Sequence, residues 1–127
     1  MQATIADRAL NQRRILIVED EYLLADELAL ELADEGATVL GPVPSVEEAL
    51  ALLEEQASPD GAILDVNLRG EPVFPLADAL VDQGVPLIFT TGYDPETLPA
   101  RFAGFPKCEK PTNARRISAV LSKAIHA

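Results

Sequence analysis

The sequence predicts an α/β fold: a doubly wound, five-stranded parallel sheet whose strands are joined by crossover helices. Two observations predict it. Short, continuous apolar runs take turns with segments whose apolar residues recur at helical spacing, the alternation expected of strands buried on both faces and amphipathic helices. Polar residues of distinctive type also stand where those runs give out: Glu19-Asp20-Glu21, then Asp65, Thr91 and Lys110. In an open parallel sheet the strand C-terminal ends line one crevice, so residues distant in sequence meet there.

Each element has its own warrant. Ile15-Leu16-Ile17-Val18 is a β-branched run ending at Glu19, and Leu24, Leu28 and Leu32, with Ala25 and Ala29 beside them, put an apolar stripe on the helix that follows. Gly36 stops that helix. Ala37 to Val43 reads as the second strand, and Ser45 with Glu48 has the spacing of a capping box for a helix carrying Val46, Ala49, Leu50 and Leu53 inward. Gly61 to Leu64 forms the third strand, ending at Asp65. The loop Asn67-Leu68-Arg69-Gly70 leads into a helix containing Leu76, Ala77 and Leu80, which Gly84 ends. Pro86 to Phe89 is the fourth strand, closing on Thr90-Thr91-Gly92, and Asp94 with Pro95 suits the start of a helix. Phe105 to Glu109 supplies the fifth strand, an edge that can accept Pro106 near its start. Ala114 to Ala127 is the last helix, with Ile117, Val120, Leu121, Ala124 and Ile125 at core spacing.

A chain of 127 residues is enough for a single core, read as a domain over residues 13–127 after a tail of residues 1–12. With 48% hydrophobic and 24% charged residues the composition is that of a globular protein. No apolar run approaches the ~20 residues that span a bilayer, and the N-terminal stretch lacks a signal-peptide core, so a cytoplasmic location without membrane contact is expected. Cys108 is the lone cysteine, which fits a reducing compartment; its place in the fifth strand suits a small core residue. The net charge of −11 repels nucleic-acid phosphates, and Arg13-Arg14 and Arg115-Arg116 are too small to offset it. Direct nucleic-acid binding is therefore not expected. His126, near a helix C-terminus, suits a partial cation rather than a metal ligand.

Taken singly, Asp65 and Thr91 suit turns and caps, the acidic run suits a helix start, and Lys110 suits a solvated surface. It is their joint order that resembles a known family. Ile17-Val18-Glu19-Asp20-Glu21, Leu64-Asp65, Thr91-Gly92 and Lys110-Pro111 together resemble the receiver domain of two-component response regulators, over residues 14–126. The resemblance implies a flavodoxin-like (CheY-like) sheet of order 2-1-3-4-5. It also implies Asp65 as phosphoacceptor, with Thr91 and Lys110 as the other catalytic positions. Crowded carboxylates call for a hard divalent cation. By resemblance this is Mg²⁺, held by Asp20 and Asp65, by Glu19 through water and by the backbone carbonyl of Asn67. The implied partners are a sensor histidine kinase and a phosphotransfer or downstream target protein. No enzymatic activity is expected beyond self-phosphorylation and autodephosphorylation at Asp65, in a monomer or weak homodimer.

Two features depart from the family pattern. Lys107 stands where receivers usually carry an aromatic residue. Phe89-Thr90-Thr91-Gly92-Tyr93 is instead similar to the Phe-Ala-Thr-Gly stretch of the FAT-GUY group of single-domain receivers, with Thr90 in place of Ala, so Tyr93 is expected to take over part of the conformational response. With no output domain after the last helix, signalling is expected to pass through a partner, a relay or a phosphate sink. Two other readings carry different expectations: an interaction module that never takes phosphate, and a haloacid-dehalogenase-type phosphatase, which would want a second acid where Asn67 stands.

Overall fold

The computed structural model describes residues 10–92 and 98–126. Five parallel strands, β1 (Arg14–Val18), β2 (Thr38–Val43), β3 (Gly61–Asp65), β4 (Leu87–Thr91) and β5 (Lys107–Glu109), form one sheet in the order β2-β1-β3-β4-β5. That is the predicted order, and it places β1 and β3 at the centre, where both faces are covered. Among the described residues, four helices pack on it: α1 (Tyr22–Asp34), α2 (Val46–Glu55), α3 (Phe74–Asp82) and α4 (Ala114–Ile125).

Side-chain alternation along the central strands decides which residues meet which helices. Ile15, Ile17 and Ile63 join Leu28 and Leu32 of α1 and Ile117 and Leu121 of α4 in one buried cluster. Leu16, Val18 and Leu64 face the other way, onto Val46 and Ala49 of α2 and Leu76, Ala77 and Leu80 of α3. Cys108 is fully buried in the first cluster. So is Leu10, from the segment read as a tail, because the turn after it ties the chain down: Arg13 N donates to Leu10 O at 3.0 Å and Gln12 N to Gly36 O at 2.9 Å.

Several local expectations are corrected. Leu50, expected inward, is 40% exposed; it stands at the edge of the buried face, about 100° from Ala49, with Leu52 and Leu53 packed on the core instead. Ser45 does cap α2, its Oγ accepting from Glu48 N at 3.1 Å. The segment after Asp65 is not a plain loop but a two-stranded antiparallel ribbon, Asn67–Leu68 against Glu71–Pro72. Between β4 and β5 the proposed Asp94-Pro95 helix start lies outside the described residues; a short 3₁₀ turn, Ala100–Phe102, precedes β5. β5 begins only at Lys107, leaving Pro106 just outside the edge strand, as its missing N–H favours. α4 ends at Ile125, with the His126 N–H donating to Ser122 O.

One irregularity bears on the site. Leu16 pairs with Leu40 but Val18 pairs with Val43, so β2 carries an extra residue at Gly41-Pro42. Gly41 sits at φ +94°, and a Cβ there would lie 2.8 Å from Val43 N and 3.0 Å from Ile17 O, both backbone atoms. Past this bulge Val43 O accepts the N–H of Glu19 at 3.0 Å. Gly41→Ala is expected to cost about 1–3 kcal/mol through the left-handed backbone and the close approach. Thermal unfolding followed by circular dichroism checks this; an unchanged midpoint would rule out the proposed strain.

Candidate functional site

The crevice is built from four strand ends. Glu19 follows β1 and is 3% exposed; its Oε2 accepts the N–H of Glu21, the residue before α1, at 3.1 Å. Asp65 closes β3 at 4% exposure, and its Oδ1 accepts the N–H of Asn67 at 3.2 Å. Thr91 closes β4, and its carbonyl takes the backbone N–H of Lys110 at 2.8 Å, which fixes where the lysine side chain starts. The Lys110–Pro111 peptide bond is cis.

Lys110 unites these groups. Its Nζ lies 3.1 Å from Glu19 Oε2 and 3.1 Å from Asp65 Oδ2, and it also donates to Glu21. The lysine side chain is only 12% exposed, so its three partners fix it in place. Asp20 sits at the rim, where Arg69 Nε approaches its Oδ2 at 3.8 Å. The structure thus brings together Glu19, Asp65 and Lys110, sets the buried Thr91 at the neighbouring strand end, and places Asp20 and Asn67 at the edge. Tyr93 lies outside the described residues.

Crowding perturbs the acids. Burial, followed by the negative charge of Asp65, pushes the Glu19 carboxyl up to about 8, with Lys110 opposing only in part. Asp20 is shifted upward for the same two reasons. Burial alone would lower the Lys110 pKa, but its hydrogen bond to Glu21 and the charges of Glu19 and Asp65 raise it, so it stays a fixed cation. Carboxylate oxygens of Glu19, Glu21 and Asp65 lie within 4.8 Å of one another, and Glu19 Oε1 is buried with no hydrogen-bond partner among the described residues. An all-oxygen, anionic donor set with an orphaned buried acceptor fits a hard divalent cation such as Mg²⁺.

Sequence reasoning missed two participants. Glu21 was read as part of an acidic run, but its position ahead of α1 turns its carboxylate onto Lys110. Arg69 stands in a segment with no strand periodicity; the one signal available was Gly70, a residue suited to the left-handed position of a tight hairpin turn.

No protein-family profile matches the chain. It is similar to the sensory transduction protein LytT of Bacillus subtilis (34% identity over 114 residues, 87% of this chain and 47% of that protein). It is also similar to the transcriptional regulatory protein PdtaR of Mycobacterium tuberculosis (32% over 99 residues, 77% and 47%). The chain spans about half the length of these curated relatives. Among solved structures, SdrG from Sphingomonas melonis Fr1 is 40% identical with a TM-score of 0.77, covering 94% of this chain and 98% of that one. The response regulator PhyR from Brucella abortus is 28% identical with a TM-score of 0.75, over 95% of this chain and 51% of that one. Sheet order, strand-end residues and relatives agree, and the chain belongs to the receiver domains of response regulators.

Proposed function

We propose that Asp65 accepts a phosphoryl group from the phosphohistidine of a sensor histidine kinase. A carboxylate oxygen of Asp65 attacks phosphorus, the P–N bond to the histidine breaks, and the imidazole takes up a proton as it leaves. The observation that carries this reading is the Lys110 ammonium, held between Asp65 and Glu19 at 3.1 Å from each. There it meets negative charge as it spreads over the phosphoryl oxygens. Thr91, at the adjacent strand end, would donate its hydroxyl to one of those oxygens. Glu19, Asp20, Asp65 and the Asn67 carbonyl would hold Mg²⁺, with Glu21 within reach. When bound, the ion supplies charge neutralisation at the phosphoryl oxygens.

The phosphatase reading finds no support at Asn67. An amide there has no acidic proton to give, and its Oδ1 is already engaged by Gly70 N at 2.7 Å. Exchanging one carboxylate charge for about two and adding acceptor oxygens supplies a signal that a protein partner, relay or phosphate sink could use. Leu23 and Leu30, 81% and 72% exposed and seven residues apart on α1, offer such a partner apolar contacts, Leu23 in the depression that Glu21 and Lys110 also line. The net charge of −11 supports protein rather than nucleic-acid partners, and no described helix is long and apolar enough to cross a membrane. A cytoplasmic location and no enzymatic activity beyond turnover at Asp65 are part of the same proposal.

The test is intact-mass spectrometry after incubation with acetyl phosphate, with Mg²⁺ or with a chelator, alongside a panel of autophosphorylated histidine kinases. One phosphoryl adduct that requires the metal is expected. Folded, metal-bound protein that takes no adduct from any donor would overturn the reading in favour of a phosphorylation-independent interaction module.

A further inference from the structure

The ribbon after Asp65 is held from several sides. Leu68 is 3% exposed in the core, Asn67 Oδ1 accepts from Gly70 N, Val73 N donates to Val66 O at 3.3 Å, and Glu71 Oε1 accepts from Val46 N at the start of α2. Its turn residues, Arg69 and Gly70, have φ of +53° and +87°. Gly70 takes the left-handed region freely. Arg69 does not, and an outlier maintained by so many contacts asks for a use. What the turn does is bring the Arg69 guanidinium within 3.8 Å of Asp20, the acid at the rim of the crevice.

The two cations of the site differ in kind. Lys110 is 12% exposed and bound to three carboxylates; Arg69 is 74% exposed and, among the described residues, makes one loose ion pair at 3.8 Å. An exposed pair of that length is weak, so it breaks at little cost. The four acids Glu19, Asp20, Glu21 and Asp65 face these two cations.

We propose that Arg69 is an exchangeable counter-cation: it neutralises Asp20 while the metal is absent, gives Asp20 up to the divalent ion, and then binds phosphoryl oxygens above Asp65. The inference rests on the phosphoacceptor reading and extends it to a positioning residue on the ribbon. A guanidinium is suited to both tasks, since its planar fork matches carboxylate and phosphoryl oxygens alike. The role also ties the two ligands together. With its own charge removed, the site should hold the metal more tightly yet capture a phosphoryl donor less well.

The experiment uses the full chain and its Arg69→Ala, Arg69→Lys and Arg69→Gly variants. Mg²⁺ affinity is measured by titration calorimetry, and the rate of acetyl phosphate labelling at saturating Mg²⁺ by intact mass. Arg69→Ala is expected to bind Mg²⁺ about 2- to 5-fold more tightly and to label about 10- to 100-fold more slowly. Arg69→Lys keeps the charge, so its metal affinity should match the wild type while labelling recovers in part. Arg69→Gly accepts the left-handed turn without strain and should melt no lower than the wild type in the metal-free state, yet share the labelling defect of Arg69→Ala. Wild-type affinity and wild-type labelling in Arg69→Ala, or weaker Mg²⁺ binding, would overturn the proposal. If the wild type binds Mg²⁺ but takes no label from any donor, the phosphoacceptor reading fails and unchanged affinity in Arg69→Ala overturns this inference as well. If the wild type binds no Mg²⁺, both fall.

Discussion

Asp65→Asn is expected to abolish the metal-dependent phosphoryl adduct completely while leaving the sheet intact. The amide has nearly the shape of the carboxylate, and its oxygen can still accept from Asn67 N–H or Lys110, so the buried end of β3 keeps partners. What it loses is the anionic oxygen that attacks phosphorus. Intact-mass analysis of the variant with acetyl phosphate and Mg²⁺ decides; an adduct that persists would put the acceptor elsewhere. The same substitution has a second signature in metal-free protein. Glu19 is raised from its ordinary 4.5 to about 8, by burial first and by the Asp65 charge second. Between those values the folded state holds a proton that the unfolded state releases. Glu19's contribution is therefore complete below its unfolded value and is lost as pH rises through about 8. Removing the Asp65 charge lowers the Glu19 pKa and shrinks that loss. Melting curves in chelator at about pH 5 and about pH 8 should show a smaller drop for the variant than for the wild type; equal drops would mean that Asp65 does not act on Glu19.

The second large effect is expected at Phe89, fully buried in β4 two residues before Thr91. Its ring meets Phe102 edge-on at 5.3 Å, Phe74 at 6.3 Å and Phe105 at 6.1 Å. Phe89→Ala removes the middle of this cluster, and the surrounding strand and helix cannot collapse fully into the space. A cost of about 3–5 kcal/mol follows from lost burial and the residual cavity. For a domain of this size that lowers the melting midpoint by roughly 10–20 °C. Phe89→Leu, which keeps most of the volume, should recover more than half of the loss. A Phe89→Ala melt within a few degrees of the wild type would show that the ring is not central to the core.

The strand order and the strand-end residues were legible because buried parallel strands leave a plain mark: Ile15 to Val18 and Gly61 to Leu64 are short, apolar and bounded by polar residues. The helix ends were legible where a local hydrogen bond sets them, as Ser45 does for α2. The ribbon was not, because strands of two residues carry no periodicity. It is held by distant partners, the Glu71 bond to Val46 N and the burial of Leu68 among core residues. The acids show the same division. Their presence at the end of β1 is a sequence fact, but which of them meets Lys110 depends on how the chain turns into α1, and that turn hands Glu21 to the lysine and Asp20 to Arg69. Lys107 marks a further limit. The aromatic missing at that position told nothing of the cluster formed by Phe74, Phe89, Phe102 and Phe105.

That cluster gathers all four phenylalanines of the chain, which has no tryptophan and only two tyrosines. The sharp vibronic bands of phenylalanine in near-ultraviolet circular dichroism therefore come from one place. It joins the start of α3, the strand leading to Thr91 and the segment entering β5. The chain thus carries a label-free optical gauge of that region. Adding acetyl phosphate with Mg²⁺ and watching those bands would report whether an event at Asp65 is felt behind β4, without a dye, a tag or an introduced residue.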